Sequence, residues 1–384
     1  MLPLEGIRVL DVSRLLPGPY GTMLLADMGA EVIKISQPGY RSTIMTQRPA
    51  VDRNKKSISL NLKTKEAQQI FYELVERSDV VVEGFRPGVA HRLGIDYLKV
   101  KEINPRIIYC SITGYGQDGP YRDLPGHDPN YISISGILGI TGTPDGRHVI
   151  PGIPISDLAG GMQVAFSILC ALWAREKTKT GQYIDVSITD VMISWLGVTR
   201  GDNFLRTGQV FRRGERPSHV YKTKEGKYIC IAPIEFHFWE RLCRLLKIDQ
   251  YISDHNEILI FQPPNPQKRE EIINRLTEIF LTKTRQEWME LFHKEDIPAT
   301  PVYEIEEVFN DPHFQSRKMI EEITSSEGEK LRQVGIAVKF SQTPGKIKTA
   351  PPVPGANTVQ ILLDLGYDIS SIEELRNKGI IEYK

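Results

Sequence analysis

The chain has 384 residues, and because single cores rarely grow beyond roughly 250–300 residues, two domains are expected. Lys plus Arg and Asp plus Glu both number 48, for a formal charge of zero, and with no long block of one sign this argues against nucleic acid or an anionic membrane as partner. Cys110, Cys170, Cys230 and Cys243 stand far apart with no Cys-x-x-Cys pair and no His at metal-ligand spacing, so neither a disulfide framework nor a zinc site is expected. The N-terminus reaches charged residues before any apolar stretch of signal-peptide length. The most apolar segment, Leu158 to Trp173, is shorter than the ~20 residues a bilayer requires and reads as a buried helix. A cytoplasmic location is the expectation.

Ile7 to Ser13 alternates like a strand, Tyr20 to Met28 carries a helical pattern stopped by Gly29, and Glu31 to Ile35 reads as a second strand. This is a βαβ unit, and a right-handed crossover to a parallel sheet follows. Its first turn, Ser13 to Gly21, lacks the Gly-x-Gly-x-x-Gly spacing that admits a pyrophosphate, which disfavours an NAD-type dinucleotide. Strands are predicted at Ser57–Leu62, Val80–Glu83 and Ile107–Thr113, with a helix over Thr64–Ser78. The first two hundred residues therefore read as α/β. Basic residues gather at strand ends (Arg53, Lys55, Lys56, Lys63, Arg86, Arg92), where open α/β sheets bind ligands, and could cradle a phosphorylated group. A solvated surface accounts for them equally well.

Two titratable groups sit at the ends of structural elements. Gly126-His127-Asp128-Pro129-Asn130-Tyr131 opens one segment, and Pro154-Ile155-Ser156-Asp157 leads into the apolar run. Asp157 is thereby placed at or next to a helix N-cap, beside backbone N–H donors and the positive end of the helix dipole. A carboxylate there can move a proton while the donors hold a developing oxyanion. After Gln182–Ser187 the pattern becomes irregular through residues rich in Gly and Arg, a linker. Val220–Thr223 and Tyr228–Ile231 then form a hairpin, and helices from Phe238, Arg269 and Arg285 complete a smaller α+β segment. The division expected is a large domain over 1–200 completed by 325–384, a linker over 201–219 and a small domain over 220–324.

Collinear matches along nearly the whole chain carry a family resemblance. They include Leu25-Ala26-Asp27-Met28-Gly29-Ala30-Glu31, Phe85-Arg86-Pro87-Gly88-Val89, Thr113-Gly114-Tyr115-Gly116, Thr180-Gly181-Gln182-Tyr183 and Ile297-Pro298-Ala299-Thr300-Pro301. The chain resembles the family III CoA-transferase and α-methylacyl-CoA racemase (CaiB/BaiF) superfamily. The resemblance implies a Rossmann-like large domain built from both chain ends, a small central domain, and a homodimer interlocked like links. Both branches place an Asp where Asp157 stands: a nucleophile that forms an acyl anhydride in the transferases, an acid/base in the racemase. Gly126–Tyr131 and Ile234-Glu235-Phe236-His237-Phe238 match racemase elements, and no glycine run of the transferase kind lies between Ile229 and Trp239. Pro129 and the Ile155-Ser156-Asp157-Leu158 phrasing depart from the racemase.

The resemblance further implies that His127, Asp157 and Glu235 act on a 2-methylacyl-CoA thioester, Glu235 orienting the imidazole, with the α-proton exchanged through an enolate. It places Arg86 and Arg92 on CoA phosphates, Leu62 and Lys63 beside the adenine, Tyr131 near the pantetheine, and Asp128 among the binding residues. Gln37 stands where a basic residue is usual. No metal or redox cofactor is expected, CoA being part of the substrate. A lone His is more often a structural hydrogen-bonder, and Asp157 and Glu235 could be mere helix caps. The alternative function is CoA transfer between carboxylic acids through an Asp157 acyl anhydride.

Overall fold

The structure is a computed structural model that describes residues 1–40, 50–143, 145–210, 219–259, 265–325 and 327–383. In chain order, β1 (Arg8–Asp11), α1 (Pro17–Asp27) and β2 (Glu31–Ser36) form the expected βαβ unit. Next come β3 (Lys55–Ser59), α2 (Lys65–Glu76), β4 (Val80–Glu83), the short α3 (Val89–Arg92), α4 (Tyr97–Ile103) and β5 (Ile108–Thr113). Helices α5 (Asp128–Ile134), α6 (Ile137–Ile140) and α7 (Ile155–Thr178) precede β6 (Tyr183–Ser187), α8 (Ile188–Leu196) and α9 (Asp202–Thr207). All six strands pair in parallel in the order β3-β2-β1-β4-β5-β6.

A parallel sheet is covered on both faces, so its strands bury successive side chains to opposite sides. Leu10 and Val81 join one core cluster, and Val9, Val80 and Val82 join the other. The strand order reverses between β1 and β4. At such a point the loops leaving the two strands turn to opposite faces and open a crevice at the carboxyl edge of the sheet.

The chain divides into two compact units: 1–138 with 150–206 and 318–384, and 139–149 with 207–317. In the first unit the chain end returns to β3, where Asn357 and Thr358 side chains accept from the Ser57 and Ser59 N–H groups at 2.9 and 3.1 Å and Leu60 bridges Ile381. The second unit holds β7 (Val220–Lys222), β8 (Tyr228–Ile231), α10 (Phe236–Leu246), α11 (His255–Leu259), α12 (Pro266–Phe280), α13 (Arg285–Lys294), β9 (Ala299–Val302), α14 (Ile305–Val308) and α15 (Pro312–Ser316). Its three strands pair antiparallel in the order β7-β8-β9 and pack with the helices around Trp239, Phe280 and Phe292. Back in the first unit, β10 (Ile320–Thr324) and β11 (Lys330–Val334) form a hairpin, followed by α16 (Thr358–Leu365) and α17 (Ile369–Asn377).

Three boundaries differ from the sequence reading. Residues 139–149 group with the second unit, an excursion closed by the Gly142–His148 bridge that no periodicity announces. The expected linker is helical over Asp202–Thr207, and its residues 211–218 lie outside the described residues. Helix α7 runs 24 residues, beyond Leu158–Trp173 at both ends, and is long and apolar enough to cross a membrane by length and composition. One of its faces is occupied: Val164, Ala165 and Ile168 are buried in the core against the sheet, and Ala159 is buried beside Ile132 and Met192.

Beneath the β1 loop lies a buried charge cluster. Asp11 accepts from Lys55 Nζ at 3.0 Å, Lys34 Nζ at 3.3 Å, Thr22 Oγ1 at 2.7 Å and the Ser13 N–H at 3.0 Å. Lys55 also donates to Asp52 at 3.0 Å and to the Pro19 carbonyl at 2.9 Å, and Lys34 to the Ser13 carbonyl. Burial alone would push the Asp11 carboxyl up, but Lys34, Lys55 and the Ser13 and Thr22 hydroxyls outweigh it and hold it well below its ordinary value. A depressed carboxyl contributes stability that is present above its unfolded pKa of about 3.9 and lost as pH falls toward its folded value. Breaking a buried pair from one side costs about 3–5 kcal/mol, so Lys55→Met should lower the urea midpoint accordingly at neutral pH. The gap from the unmodified chain should narrow in acid, where Asp11, left with Lys34 as its one ammonium partner, takes up a proton more readily than in the parent; an equal gap at every pH would contradict the ionic account.

Candidate active site

Loops leaving β1 (Ser13, Arg14, Leu15), β4 (Gly84 to Pro87) and β5 (Thr113 to Tyr115), with the starts of α5 and α7, enclose a cleft of about 280 Å³. It stands at the β1/β4 reversal, where the sheet's own topology opens a crevice. Arg86, His127, Tyr131 and Asp157 all line it. A second cavity of about 260 Å³ is lined by Gln37, Leu62 and Lys63. Arg14 and Phe85 border both. The Arg14 guanidinium is held over the rings of Tyr40 and Phe85, 5.3 and 5.5 Å from their centroids. Arg14 was not singled out in the sequence, although its place immediately after the first strand of a βαβ unit was signal enough.

The N-terminus of α7 is delivered to this cleft by backbone packing. A Cβ at Gly21 of α1 would fall 2.7 Å from the Gly161 carbonyl oxygen, and one at Gly161 would fall 2.5 Å from the Pro17 carbonyl oxygen. Only glycine lets the two helices approach so closely. The N-cap is Pro154, so Asp157 occupies the first turn rather than the cap itself. Its carboxylate takes no hydrogen bond from any described residue and keeps the helix dipole behind it.

His127 is the N-cap of α5, its backbone N–H donating to Asn130 Oδ1 at 3.0 Å, while its exposed ring faces the cleft. Tyr131, one turn on, is buried and donates its hydroxyl to the Gly126 carbonyl at 2.6 Å. A Cβ at Gly114 would fall 2.3 Å from that ring, so the wall of the cleft requires glycine there.

Three predicted residues stand elsewhere. Asp128 is buried, and its carboxylate accepts from the Ser156 N–H and hydroxyl, both at 2.6 Å, so it borders neither cavity. As the first residue of α5 it turns inward where its neighbour His127 turns out. Arg92 ends α3, exposed, and lines neither cavity. Glu235 belongs to the second unit, exposed at the N-cap of α10, where its side chain makes no capping hydrogen bond.

The electrostatics distinguish Asp157. Burial, then the like charge of Asp128, push its carboxyl up to about 6, against a smaller opposing pull from His127. Tyr131 is pushed up to about 12 by burial and then by Asp157 and Tyr115, with Arg86 opposing. It remains a neutral hydroxyl throughout the physiological range. A carboxyl raised in the fold is stabilising to lose: above pH 6 the folded state carries a disfavoured charge, and below the unfolded value of about 3.9 neither state does. Asp157→Asn should therefore stabilise the chain by up to about 3 kcal/mol at pH 7.5. Urea unfolding at pH 7.5 and pH 3.5 checks this: the gain should vanish in acid, and a variant no more stable than the parent at pH 7.5 would contradict the raised value.

Comparison with known proteins adds an independent line. The model of CoA-transferase family III matches residues 4–358. The succinyl-CoA:glutarate CoA-transferase of Mus musculus is 33% identical, over 100% of this chain and 91% of the relative. The α-methylacyl-CoA racemase of Homo sapiens is 32% identical, over 99% of this chain and 98% of the relative. A crystal structure of a CaiB/BaiF family protein from Brucella suis superposes with a TM-score of 0.83 at 28% identity, covering 95% of this chain and 99% of that one. CoA-transferase names predominate among the most similar relatives.

Proposed function

The chain belongs to CoA-transferase family III, and from that premise we propose that it is a racemase of 2-methylacyl-CoA thioesters, exchanging the α-proton through an enolate. One observation carries this reading: two titratable side chains, His127 and Asp157, project from the starts of two helices into one cleft. Racemisation needs a proton taken from one face of a carbon and another returned to the opposite face, and two groups flanking that carbon suffice. A carboxyl near 6 is matched to proton transfer at neutral pH. The N-terminal N–H groups of α7 and its dipole favour the negative charge that develops on the thioester oxygen. Arg86 at the cleft, and Leu62 and Lys63 in the adjoining cavity, are assigned to the CoA moiety. The chemistry calls on no metal or redox group.

The second reading is a CoA-transferase with Asp157 as nucleophile, favoured by the names of the relatives. Incubation with a chiral 2-methylacyl-CoA in D2O separates the two. A racemase incorporates α-deuterium and inverts the centre; Asp157→Asn and His127→Ala each abolish inversion, while one-sided exchange by the remaining base persists. Acyl-aspartate trapped by hydroxylamine, acyl transfer to an added acid and no deuterium in the recovered ester would overturn the racemase reading in favour of the transferase.

Glu235 enters this reading through a second copy of the chain, whose smaller unit would bring it to the imidazole of His127. A homodimer has support in α7, whose outer face exposes Met162, Phe166, Leu169 and Trp173 at helical spacing. Size-exclusion chromatography with light scattering should give a dimer, and Phe166→Glu with Trp173→Glu should yield an inactive monomer. A fully active monomer would remove both the dimer and the role of Glu235.

A further inference from the structure

Helix α7 begins after Pro154, which offers no side-chain acceptor to the N–H groups of the first turn. Such groups are orphans unless something outside the helix satisfies them. Here the Ser156 N–H and the Ser156 hydroxyl both donate to a single oxygen, Asp128 Oδ1, at 2.6 Å, and the hydroxyl also lies 3.3 Å from the Asp128 carbonyl. Both residues are buried, Ser156 completely. An N-cap ordinarily supplies this acceptor from its own chain position; for α7 it comes from another helix. Asp128 directly follows His127, and Ser156 directly precedes Asp157.

We propose that Asp128 is a positioning residue: its carboxylate fastens the helix start that bears His127 to the helix start that bears Asp157, fixing their separation and the charge that Asp157 feels. The inference rests on the reading of His127 and Asp157 as the reacting pair. Because Ser156 and Asp157 are consecutive in one helical turn, a shift at the Asp128 contact moves the Asp157 carboxylate with it. The groups facing Asp157 make the electrical part specific. From α5 they are Asp128, His127 and Tyr131. Arg14, Arg86, Tyr115 and Arg122 line the same cleft from its loops, and Tyr20 of α1 meets α7 a turn further on, at Gly161. Among them Asp128 is the one like charge, and it opposes ionisation of Asp157.

Two substitutions separate the roles in the full-length protein. Asp128→Asn keeps an oxygen acceptor for Ser156 and removes the charge; Asp128→Ala removes both. Asp157 is followed by NMR titration of carboxyl-labelled aspartate, its signal assigned by its loss in Asp157→Asn, and the kcat–pH profile of α-deuterium exchange is measured alongside. In Asp128→Asn the Asp157 titration should move down from about 6 toward the ordinary carboxylate range, and the acid limb of kcat should move with it, at unchanged KM. In Asp128→Ala, misplacement on the scale of an ångström should cost kcat on the order of 100-fold. Asp157 titrating at the same pH in Asp128→Asn as in the parent would overturn the electrical role, and full kcat in Asp128→Ala would overturn the positional one. Absence of deuterium exchange in the parent protein would remove the racemase reading instead, while the titration still decides what Asp128 does.

Discussion

The close approach of α1 and α7 is the contact on which the arrangement of the cleft depends. Gly21 and Gly161 face each other where a Cβ on either would fall within 2.7 Å of the opposing backbone. Helices in ordinary contact stand about 8–10 Å apart, kept there by their side chains. Removing those side chains draws the second turn of α7 against the start of α1, and the first turn with it toward the segment that leaves β1. That segment is itself held from below, because Asp11, Lys34 and Lys55 fasten Ser13 and Pro19 through backbone carbonyls and N–H groups. The Asp157 carboxylate and the wall opposite it are thus fixed by backbone contacts and buried charge.

Two aspartates in one unit show how environment divides labour. Asp11 is wholly buried yet strongly acidic, because two ammonium groups and two hydroxyls answer its charge. Asp157 is less buried but weakly acidic, because its burial is joined by the like charge of Asp128 and no hydrogen bond from a described residue reaches its carboxylate. Burial opposes ionisation in both; what differs is whether the neighbours compensate it. The compensated aspartate supports the fold. The uncompensated one carries a free-energy cost that is characteristic of reactive positions.

The sequence displayed the parallel α/β unit plainly, since Val80–Val82 and Ile107–Cys110 are the continuous apolar runs of strands buried on both faces. The strand order was out of reach, because periodicity reports which face a residue buries and not which strand lies next to it. His127, Asp157, Arg86 and Tyr131 were legible as a set through their motifs, and the structure brings all four to one cleft. Asp128 shares their motif yet stands apart from the cleft for a physical reason: at the start of a helix adjacent side chains diverge by about 100°, so two neighbours in one motif can face the cleft and the core. Arg14 had a signal in its place after the first strand; what periodicity could not give is that its guanidinium is held over two aromatic rings, Tyr40 and Phe85, far from it in sequence. The grouping of residues 139–149 with the second unit had no sequence signal, since a short closed excursion alters neither composition nor period.

Both chemistries open to this family place the same demands on Asp157. A nucleophile and a proton carrier each need a carboxylate that is partly desolvated, unburdened by hydrogen bonds, and set beside N–H groups able to receive a developing oxyanion. The helix start therefore does not by itself choose between them. The choice lies in what stands across the cleft. A covalent acyl intermediate needs room for a second acid to enter and displace it, whereas proton exchange needs a second base held at a fixed distance from the same carbon. His127 is exposed and projects from the N-cap of a helix whose first residue, Asp128, is fastened to Asp157's own turn. This contact ties the helix start that bears His127 to the helix that bears Asp157, and the inversion proposal rests on that second titratable group across the cleft even though transferases predominate among the relatives.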